Sequence, residues 1–396
     1  MPLGLYISVP FCRTKCTYCN FASDVFSHVL FDRYVARLCS EIEHARETAE
    51  QMGGSFERSA DSIYFGGGTP TLLDVAQLQR IFVTIRENFD LTANAEITVE
   101  CAPGTLTEEK LDALVTCDVN RVSLGVQSLV DQEAASVGRL HKRQTVLDDI
   151  ARLRTAGISN INIDLIAGLP HQTRASWDQS LNELLATGVP HASIYMLEVD
   201  EDSRLGRELI AGGQKYHAHF VPDEDLTADM YEIACDRLNA AGIQQYEISN
   251  FARTGFESQH NLKYWTRQSY LGFGVDAHSM IFSSAEEFQV RFSNPDSLER
   301  YVAGTSGQRD RISYSHALQE AFFLGLRLNR GVDLAMIAAE FGQATIENYF
   351  EIIADLAKQG LIAQQGNTVR LTAPGRLLSN EVFEQFISVE ALTASA

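Results

Sequence analysis

Short apolar runs alternate with longer helical patterns through the first half of the chain. The runs cover residues 5–9, 62–65, 96–100, 121–126, 160–165 and 192–197. Each is apolar through most of its length, which is typical of strands covered on both faces of a parallel sheet. Helical patterns, such as those over 31–51 and 75–88, separate them. Six such units are too few to close an eight-stranded barrel, so the sequence predicts an α/β fold with an open, curved (β/α)6 sheet, a partial TIM barrel.

Three closely spaced cysteines follow the first predicted strand. Cys12, Cys16 and Cys19 have the spacing C-x3-C-x2-C. A cubane [4Fe–4S] cluster normally takes four thiolates, one for each iron, so a loop that supplies three leaves one iron free to bind a substrate. The loop therefore predicts a [4Fe–4S] cluster with three cysteine ligands and one open iron.

Two other uses of these cysteines are less consistent with the sequence. A structural zinc ion needs a fourth ligand, and the nearest candidate, His28, lies nine residues beyond Cys19. Disulfides are disfavoured because the chain has seven cysteines, an odd number, and opens without a secretory signal pattern. We expect the remaining cysteines to be buried apolar thiols: Cys39, Cys101, Cys117 and Cys235.

Polar residues lie in or at the ends of five predicted strands. They are Tyr6, the run Gly66-Gly67-Gly68-Thr69-Pro70, Glu100, Gln127 and Asp164. Ligands of open α/β sheets bind at the carboxyl ends of the strands. A glycine run there lets backbone N–H groups approach an anionic or zwitterionic ligand without a Cβ in the way. Each feature alone could be a turn or a helix cap, but together they predict a ligand site at one rim.

Composition and charge exclude some classes of function. The formal net charge of −20 disfavours nucleic-acid binding, because Lys and Arg drive the displacement of phosphate counterions. No apolar run approaches the roughly eighteen residues that a membrane span requires. We therefore expect a cytoplasmic protein with at most peripheral membrane association.

The chain divides into three predicted regions. Residues 1–200 form the (β/α)6 core, residues 201–310 form an extension, and residues 311–390 form an α+β module that resembles a winged helix. The module is predicted as three helices, a two-strand wing over 361–364 and 368–372, and a final helix from Pro374. Its third helix carries Glu347, Glu351 and Asp355 against a single Lys358, and would repel phosphate. We expect the module to serve as a cap or a partner-docking domain.

With these motifs the chain resembles the HemN-like family of radical S-adenosylmethionine (SAM) proteins. The cysteine triad carries the radical SAM resemblance, and segments 5–11, 66–70, 125–128 and 164–170 carry the HemN-like one. The resemblance implies that SAM chelates the open iron through its amino and carboxylate groups. It also implies a SAM site lined by Tyr6, Gly67, Gly68, Thr69, Glu100, Gln127, Arg139 and Asp164. Glu100 and Thr69 would suit the amino group, and Asp164 a ribose hydroxyl.

Two functions occur within that family, and the sequence bears on both. The oxygen-independent coproporphyrinogen III oxidases carry a fourth cysteine two residues after the triad, where this chain has Phe21, and an N-terminal arm that it lacks. Residues 260–265 match the H-N-x-x-Y-W motif of the haem-chaperone branch. This resemblance implies haem as cargo, respiratory haemoproteins as recipients, and His260 as a candidate haem ligand. One alternative function is catalysis on a tetrapyrrole, as an oxidative decarboxylase or a radical methyltransferase, and another is a binding module in which cluster and SAM are only structural. The alternative for His260 is a purely hydrogen-bonded role. The oligomeric state is open, with a homodimer through the cluster loop as one option.

Overall fold

A computed structural model describes residues 2–283, 289–305 and 307–387. The strands are β1 (Leu3–Val9), β2 (Gly54–Ser55), β3 (Ser59–Gly67), β4 (Asp90–Cys101), β5 (Arg121–Gln127), β6 (Asn160–Ala167), β7 (His191–Met196), β8 (Gln244–Gln245), β9 (Asn250–Ala252), β10 (Tyr270–Gly274), β11 (His278–Ser283), β12 (Gln289–Ser293), β13 (Gln308–Arg311), β14 (Val332–Asp333), β15 (Ile362–Gln365) and β16 (Thr368–Leu371).

The helices are α1 (Val29–Glu43), α2 (Ala45–Gln51), α3 (Val75–Asn88), α4 (Glu108–Thr116), α5 (Asp131–Ser136), α6 (Arg143–Thr155), α7 (Arg174–Thr187), α8 (Arg204–Ala211), α9 (Glu224–Ala240), α10 (Gln259–Trp265), α11 (Leu298–Val302), α12 (Tyr314–Leu326), α13 (Leu334–Phe341), α14 (Gln343–Glu347), α15 (Phe350–Lys358), α16 (Ala373–Leu377) and α17 (Ser379–Ile387). Among these described helices, none is long and apolar enough to cross a membrane.

The predicted parallel sheet is confirmed. Strands β1, β3, β4, β5, β6 and β7 lie side by side in chain order, and each neighbouring pair is parallel. Helix α3 has the predicted bounds and begins with a capping box between Asp74 and Gln77. The predicted helix over 31–51 is instead two helices, because the chain leaves helical geometry at His44.

Residues 201–310 extend this sheet at both edges. Strand β10 pairs in parallel with the free side of β1 and is followed outward by β11, β12 and β13. At the opposite edge, β9 pairs with β7, and β8 pairs with β9. The extension therefore shares one sheet with the core.

The two faces of the parallel strands differ in polarity more than the sequence patterns indicate. Alternate residues such as Ile63, Phe65 and Val99 point outward and are buried in the main hydrophobic core. The residues between them are polar and line the concave side: Tyr64, Glu100, Arg121, Ser123, Asn162, Asp164 and Ser193. A polar inner face is the surface on which a polar ligand can be bound.

The C-terminal module has the two predicted wing strands, β15 and β16, but a third strand, β14, pairs with β16, and its described residues form six helices where four are predicted. Glu347 ends α14 and is not on α15 with Glu351 and Asp355, as the prediction had it. Helices α12–α17 pack with the three-stranded sheet β14-β16-β15 around their own core, where the rings of Phe322, Tyr349 and Phe386 stack. On α15, Lys358 is paired with Asp355 at 2.8 Å. The predicted end of this domain, residue 390, lies outside the described residues.

Candidate cofactor site

The cysteine loop forms one wall of a cavity at the carboxyl ends of the strands. The cavity has a volume of about 850 Å³, and Cys12, Cys16 and Cys19 all line it. The loop is fixed at both ends, because Cys12 N–H donates to the Asp24 carbonyl at 3.0 Å and Thr17 N–H donates to the Val137 carbonyl at 3.2 Å. The predicted cluster ligands are thus held together at the mouth of the cavity.

The three thiols are free and half-buried. Burial raises the pKa of Cys12 and of Cys19, so binding of a metal must displace protons from them. Within the described residues, no three His, Cys, Asp or Glu side chains surround a single ion-sized position. A cubane cluster binds each thiolate to a different iron, so its ligands stand farther apart than those of one ion. Three free thiols on one loop are the number of ligands that a [4Fe–4S] cluster with one open iron needs.

The other cysteines include one in the cavity wall. Cys39, Cys101 and Cys117 are buried, as expected, whereas Cys235 is only partly buried. Cys101 lines the cavity, but its thiol donates to the Val99 carbonyl of its own strand at a sulfur–oxygen distance of 3.9 Å, and burial raises its pKa. It is therefore less suited than the loop cysteines to act as a thiolate.

The glycine run brings the end of β3 against the cysteine loop. A Cβ on Gly68 would lie 2.7 Å from the Phe11 carbonyl oxygen and 2.8 Å from that of Val9, so no larger residue fits there unchanged. Gly67 has a φ of +94°, a conformation that favours glycine. The run is therefore needed for a close approach of two backbone segments.

The amides of this run are not free for a ligand, in contrast to the expectation from the sequence. Gly68 N–H donates to the Val9 carbonyl and Thr69 N–H to the Phe11 carbonyl, both at 2.7 Å. Gly67, Gly68 and Thr69 nevertheless line the cavity. These residues therefore shape the cavity wall, and the N–H groups of Gly68 and Thr69 do not form a nest of free donors there.

Two carboxylates face the cavity on neighbouring parts of the inner face. Glu100 Oε1 accepts a hydrogen bond from the Tyr64 hydroxyl at 2.8 Å, and burial raises the pKa of Glu100 to about 7, with the charge of Asp164 adding to the effect. Asp164 accepts from Asn162 Nδ2 at 2.7 Å and from the Ser123 hydroxyl at 3.2 Å, and burial raises its pKa as well. A cationic group bound beside them would favour their ionised forms.

Unsatisfied polar atoms from β5 and from the segment between α5 and α6 also lie at the cavity. Within the described residues, Arg121 Nε and Nη1, Arg139 Nε and Gln127 Oε1 are buried without a hydrogen-bond partner. Gln127 also has a left-handed φ of +65°, which is uncommon for residues other than glycine. Buried polar atoms cost stability unless something satisfies them. Together with the carboxylates Glu100 and Asp164, these groups suit a ligand that carries both positive and negative charges, such as SAM.

Two predicted site residues lie behind the cavity wall. Tyr6 and His260 are absent from the described lining, and their rings stack with centroids 6.3 Å apart. His260 is 1 % exposed; its Nδ1 lies 3.0 Å from the Ser62 hydroxyl and its Nε2 lies 2.8 Å from the Tyr264 hydroxyl. Burial lowers the pKa of His260 to about 3, so the ring is neutral at pH 7. This geometry favours the hydrogen-bonded role, and haem ligation by His260 stays a prediction.

The H-N-x-x-Y-W segment forms helix α10, which is attached to the polar inner face. The buried carboxylate of Glu96 accepts the backbone N–H groups of Gln259 and His260, each at 3.1 Å, at the start of the helix. Asn261 lines the cavity, and the Trp265 ring lies 4.3 Å from the guanidinium carbon of Arg327. The segment therefore contributes to the cavity through residues other than its histidine.

Sequence reasoning missed several residues of the site. Tyr64 and Arg121 lie within strands that read as apolar runs, and Arg327, Arg376 and Asn380 reach the cavity from the C-terminal module. Tyr64 and Arg121 could have been found from the polar residues at every second position of these strands. No local pattern marks the others, because their place depends on how the module packs on the core.

Family models match both ends of the chain. The model of the radical SAM superfamily matches residues 6–184, and the model of the HemN C-terminal domain matches residues 312–378. Together with the cysteine loop and the parallel sheet, these matches define a radical SAM protein, a class that holds a [4Fe–4S] cluster and SAM.

Comparison with similar proteins identifies the family within this class. The heme chaperone HemW of Bacillus subtilis is 34% identical over 389 residues, which cover 96% of this chain and 98% of that protein. HemW of Lactococcus lactis is 33% identical, with 98% and 97% covered. The structure of coproporphyrinogen III oxidase (HemN) from Escherichia coli, described as a radical SAM enzyme, superposes with a TM-score of 0.83 at 26% identity and covers 98% of this chain and 90% of that one. The chain belongs to the HemW family.

Proposed function

We propose that this protein is a haem chaperone: it holds a [4Fe–4S] cluster and SAM in its cavity, binds haem, and delivers the haem to haemoproteins of respiration. The observation that carries the proposal is the similarity to HemW heme chaperones along nearly the whole of both chains. A similarity of this extent covers the cysteine loop, the inner face of the sheet and the C-terminal module together.

Cys12, Cys16 and Cys19 are the proposed ligands of the cluster, with one iron left open. Support comes from the three free thiols on one anchored loop at the cavity mouth. When bound, the reduced cluster supplies the electron that cleaves the sulfonium of SAM in radical SAM proteins. Cys101, which also lines the cavity, is not a proposed ligand because its thiol is engaged with its own strand.

SAM is proposed to lie along the polar inner face, next to the loop. Glu100 would accept hydrogen bonds from its amino group, and Asp164 from a ribose hydroxyl. Arg139 and Gln127 offer unsatisfied polar atoms for the remaining groups of the ligand. Binding would thus satisfy atoms that the ligand-free cavity leaves buried without partners.

Catalysis on a tetrapyrrole is the second candidate. The likeness to the E. coli oxidase and the retention of the carboxylates Glu100 and Asp164 favour it. Phe21 favours the chaperone, because it occupies the position of the oxidase's fourth cysteine in the resembling motif and lies at the cavity mouth, 64% exposed. An apolar ring there can contact a porphyrin or a protein partner but cannot ligate iron.

One experiment separates the two candidates. Anaerobically reconstituted, reduced protein is incubated with SAM and coproporphyrinogen III, and a second sample is titrated with haem. We expect a Soret band from bound haem and no formation of protoporphyrinogen IX. Turnover of coproporphyrinogen III would establish the enzyme instead, and absence of haem binding would refute the chaperone.

A further inference from the structure

The end of the cavity away from the cysteine loop is built by the C-terminal module. Arg327, Arg376, Ser379 and Asn380 line it, together with Asn261 of α10. These side chains offer two guanidinium groups, two amides and a hydroxyl. The cluster-side carboxylates Glu100 and Asp164 belong to strands β4 and β6, so the two ends differ in the kind of group that they can bind.

Arg327 is held in position from two sides. Its guanidinium carbon lies 4.3 Å from the centroid of the Trp265 ring, and its Nη2 lies 3.6 Å from Glu247 Oε2. Glu247 is fully buried and also accepts a hydrogen bond from Ser249 N–H at 3.1 Å. A guanidinium group has five N–H donors and stacks well on aromatic rings, so this anchoring fixes its direction and leaves donors for a ligand.

Arg376 has fewer partners. It lies on the short helix α16, and its Nη1 donates to the Leu371 carbonyl at 3.5 Å. It forms no ion pair with any residue in the described ranges, although it is only partly exposed and lines the cavity. A half-buried cation without a counter-ion is most readily stabilised by an anionic ligand.

We propose that Arg327 and Arg376 form a carboxylate-binding site for the propionate groups of a tetrapyrrole that enters the cavity beside SAM. The inference rests on the proposed function and adds to it the end of the cavity at which the tetrapyrrole is recognised. Guanidinium groups bind carboxylates through paired, charge-assisted hydrogen bonds. Trp265 acts as a positioning residue, which gives the H-N-x-x-Y-W segment a role that does not require iron ligation by His260.

The test compares a porphyrin diacid with its diester. Anaerobically reconstituted protein is titrated with iron mesoporphyrin and with iron mesoporphyrin dimethyl ester, which differ only at the propionates. We expect the wild type to bind the diacid about tenfold more tightly or better, as charge-assisted hydrogen bonds imply. Arg376→Gln should remove most of this preference, because it should weaken binding of the diacid much more than binding of the diester. Arg370→Gln, on the exposed face of β16, is the matched control and should keep the preference.

Further variants test the positioning of Arg327. Trp265→Leu should weaken binding of the diacid more than that of the diester. Arg327→Gln leaves the buried Glu247 without its cation, so the folding of this variant is checked by thermal melting. If Arg327→Gln does not fold, the test rests on Arg376→Gln. Equal affinities for diacid and diester in the wild type, unchanged in Arg376→Gln, overturn this inference alone. Failure of the wild type to bind either porphyrin overturns the proposed function and this inference with it.

Discussion

The Tyr64 hydroxyl donates a hydrogen bond to Glu100 Oε1 at 2.8 Å, which joins β3 to β4 on the polar inner face of the sheet. The bond favours the ionised carboxylate, whereas burial favours the neutral acid, and the result is a pKa of about 7 for Glu100. Since the pKa lies above the ordinary value of about 4.3, ionisation of Glu100 lowers the stability of the ligand-free protein as the pH rises toward 7.

The affinity for SAM should therefore depend on pH through Glu100. Below pH 7 the Glu100 carboxyl is mostly protonated and must lose its proton to accept a hydrogen bond from the amino group of SAM, so affinity should rise by up to about tenfold per pH unit and level off above pH 7. Calorimetric titration of SAM between pH 5.5 and 8.5 measures the profile. Glu100→Gln should bind more weakly and lose this rise. An α-amino group such as that of SAM titrates near pH 8 and contributes equally to the profiles of the wild type and of Glu100→Gln. The difference between these two profiles therefore gives the contribution of Glu100.

Tyr64→Phe provides the matched control for this profile. Loss of the hydrogen bond should raise the pKa of Glu100 further and move the midpoint of the SAM profile to higher pH. A wild-type profile that coincides with that of Glu100→Gln would show that Glu100 does not contact the amino group of SAM.

Assembly of the cluster should depend on three cysteines and not on the fourth cysteine of the cavity lining. Cys12→Ala, Cys16→Ala and Cys19→Ala should each lose the [4Fe–4S] absorption and electron paramagnetic resonance signals after anaerobic reconstitution, because each thiolate ligates a different iron. Cys101→Ala should retain them, since its thiol is engaged with the Val99 carbonyl. A full cluster in Cys16→Ala, or its loss in Cys101→Ala, would contradict the ligand set. Circular dichroism checks that each variant folds.

The sequence predicts the parts of this site that are local. The cysteine spacing lies within eight residues, and each strand of the parallel sheet is recognisable from its own composition. Arg121 was not predicted, because polar residues on one face of a buried strand are hidden when the run is read as uniformly apolar. Strand β10 beside β1 could not be predicted either, because some 260 residues separate the paired positions Gly4 and Tyr270. The contact between Trp265 and Arg327 could not be predicted for the same reason, because it depends on packing between distant segments.

Gly68→Ala should disturb the cysteine loop. The added Cβ would meet the backbone carbonyls of Phe11 and Val9 at 2.7 and 2.8 Å, and backbone atoms cannot rotate away as a side chain can. We expect a loss of about 1–3 kcal/mol in stability, as for other overpacked sites, together with less iron per chain after reconstitution. Urea denaturation and iron analysis measure the two effects.

Gly157→Ala is the comparison for this variant, because nothing lies within 4 Å of its Cβ and only its φ of +90° opposes the change. It should lose some stability but bind iron normally. If Gly68→Ala incorporates iron as well as Gly157→Ala does, the close approach of β3 to the loop is not required for the cluster.

His260→Ala should destabilise the fold and leave the haem spectrum unchanged. Both ring nitrogens have hydrogen-bond partners, Ser62 and Tyr264, and the side chain is 1 % exposed, so its removal leaves two buried hydroxyls with one partner fewer. We expect a loss of about 1–3 kcal/mol in the free energy of unfolding, measured by urea denaturation. The Soret position and haem affinity of the folded variant should match those of the wild type, because the ring does not reach the cavity. A shifted Soret band in His260→Ala would mean instead that His260 leaves its pocket to ligate the haem iron. In that case Tyr264→Phe, which removes one of the two hydrogen-bond partners of the ring, should strengthen haem binding rather than leave it unchanged.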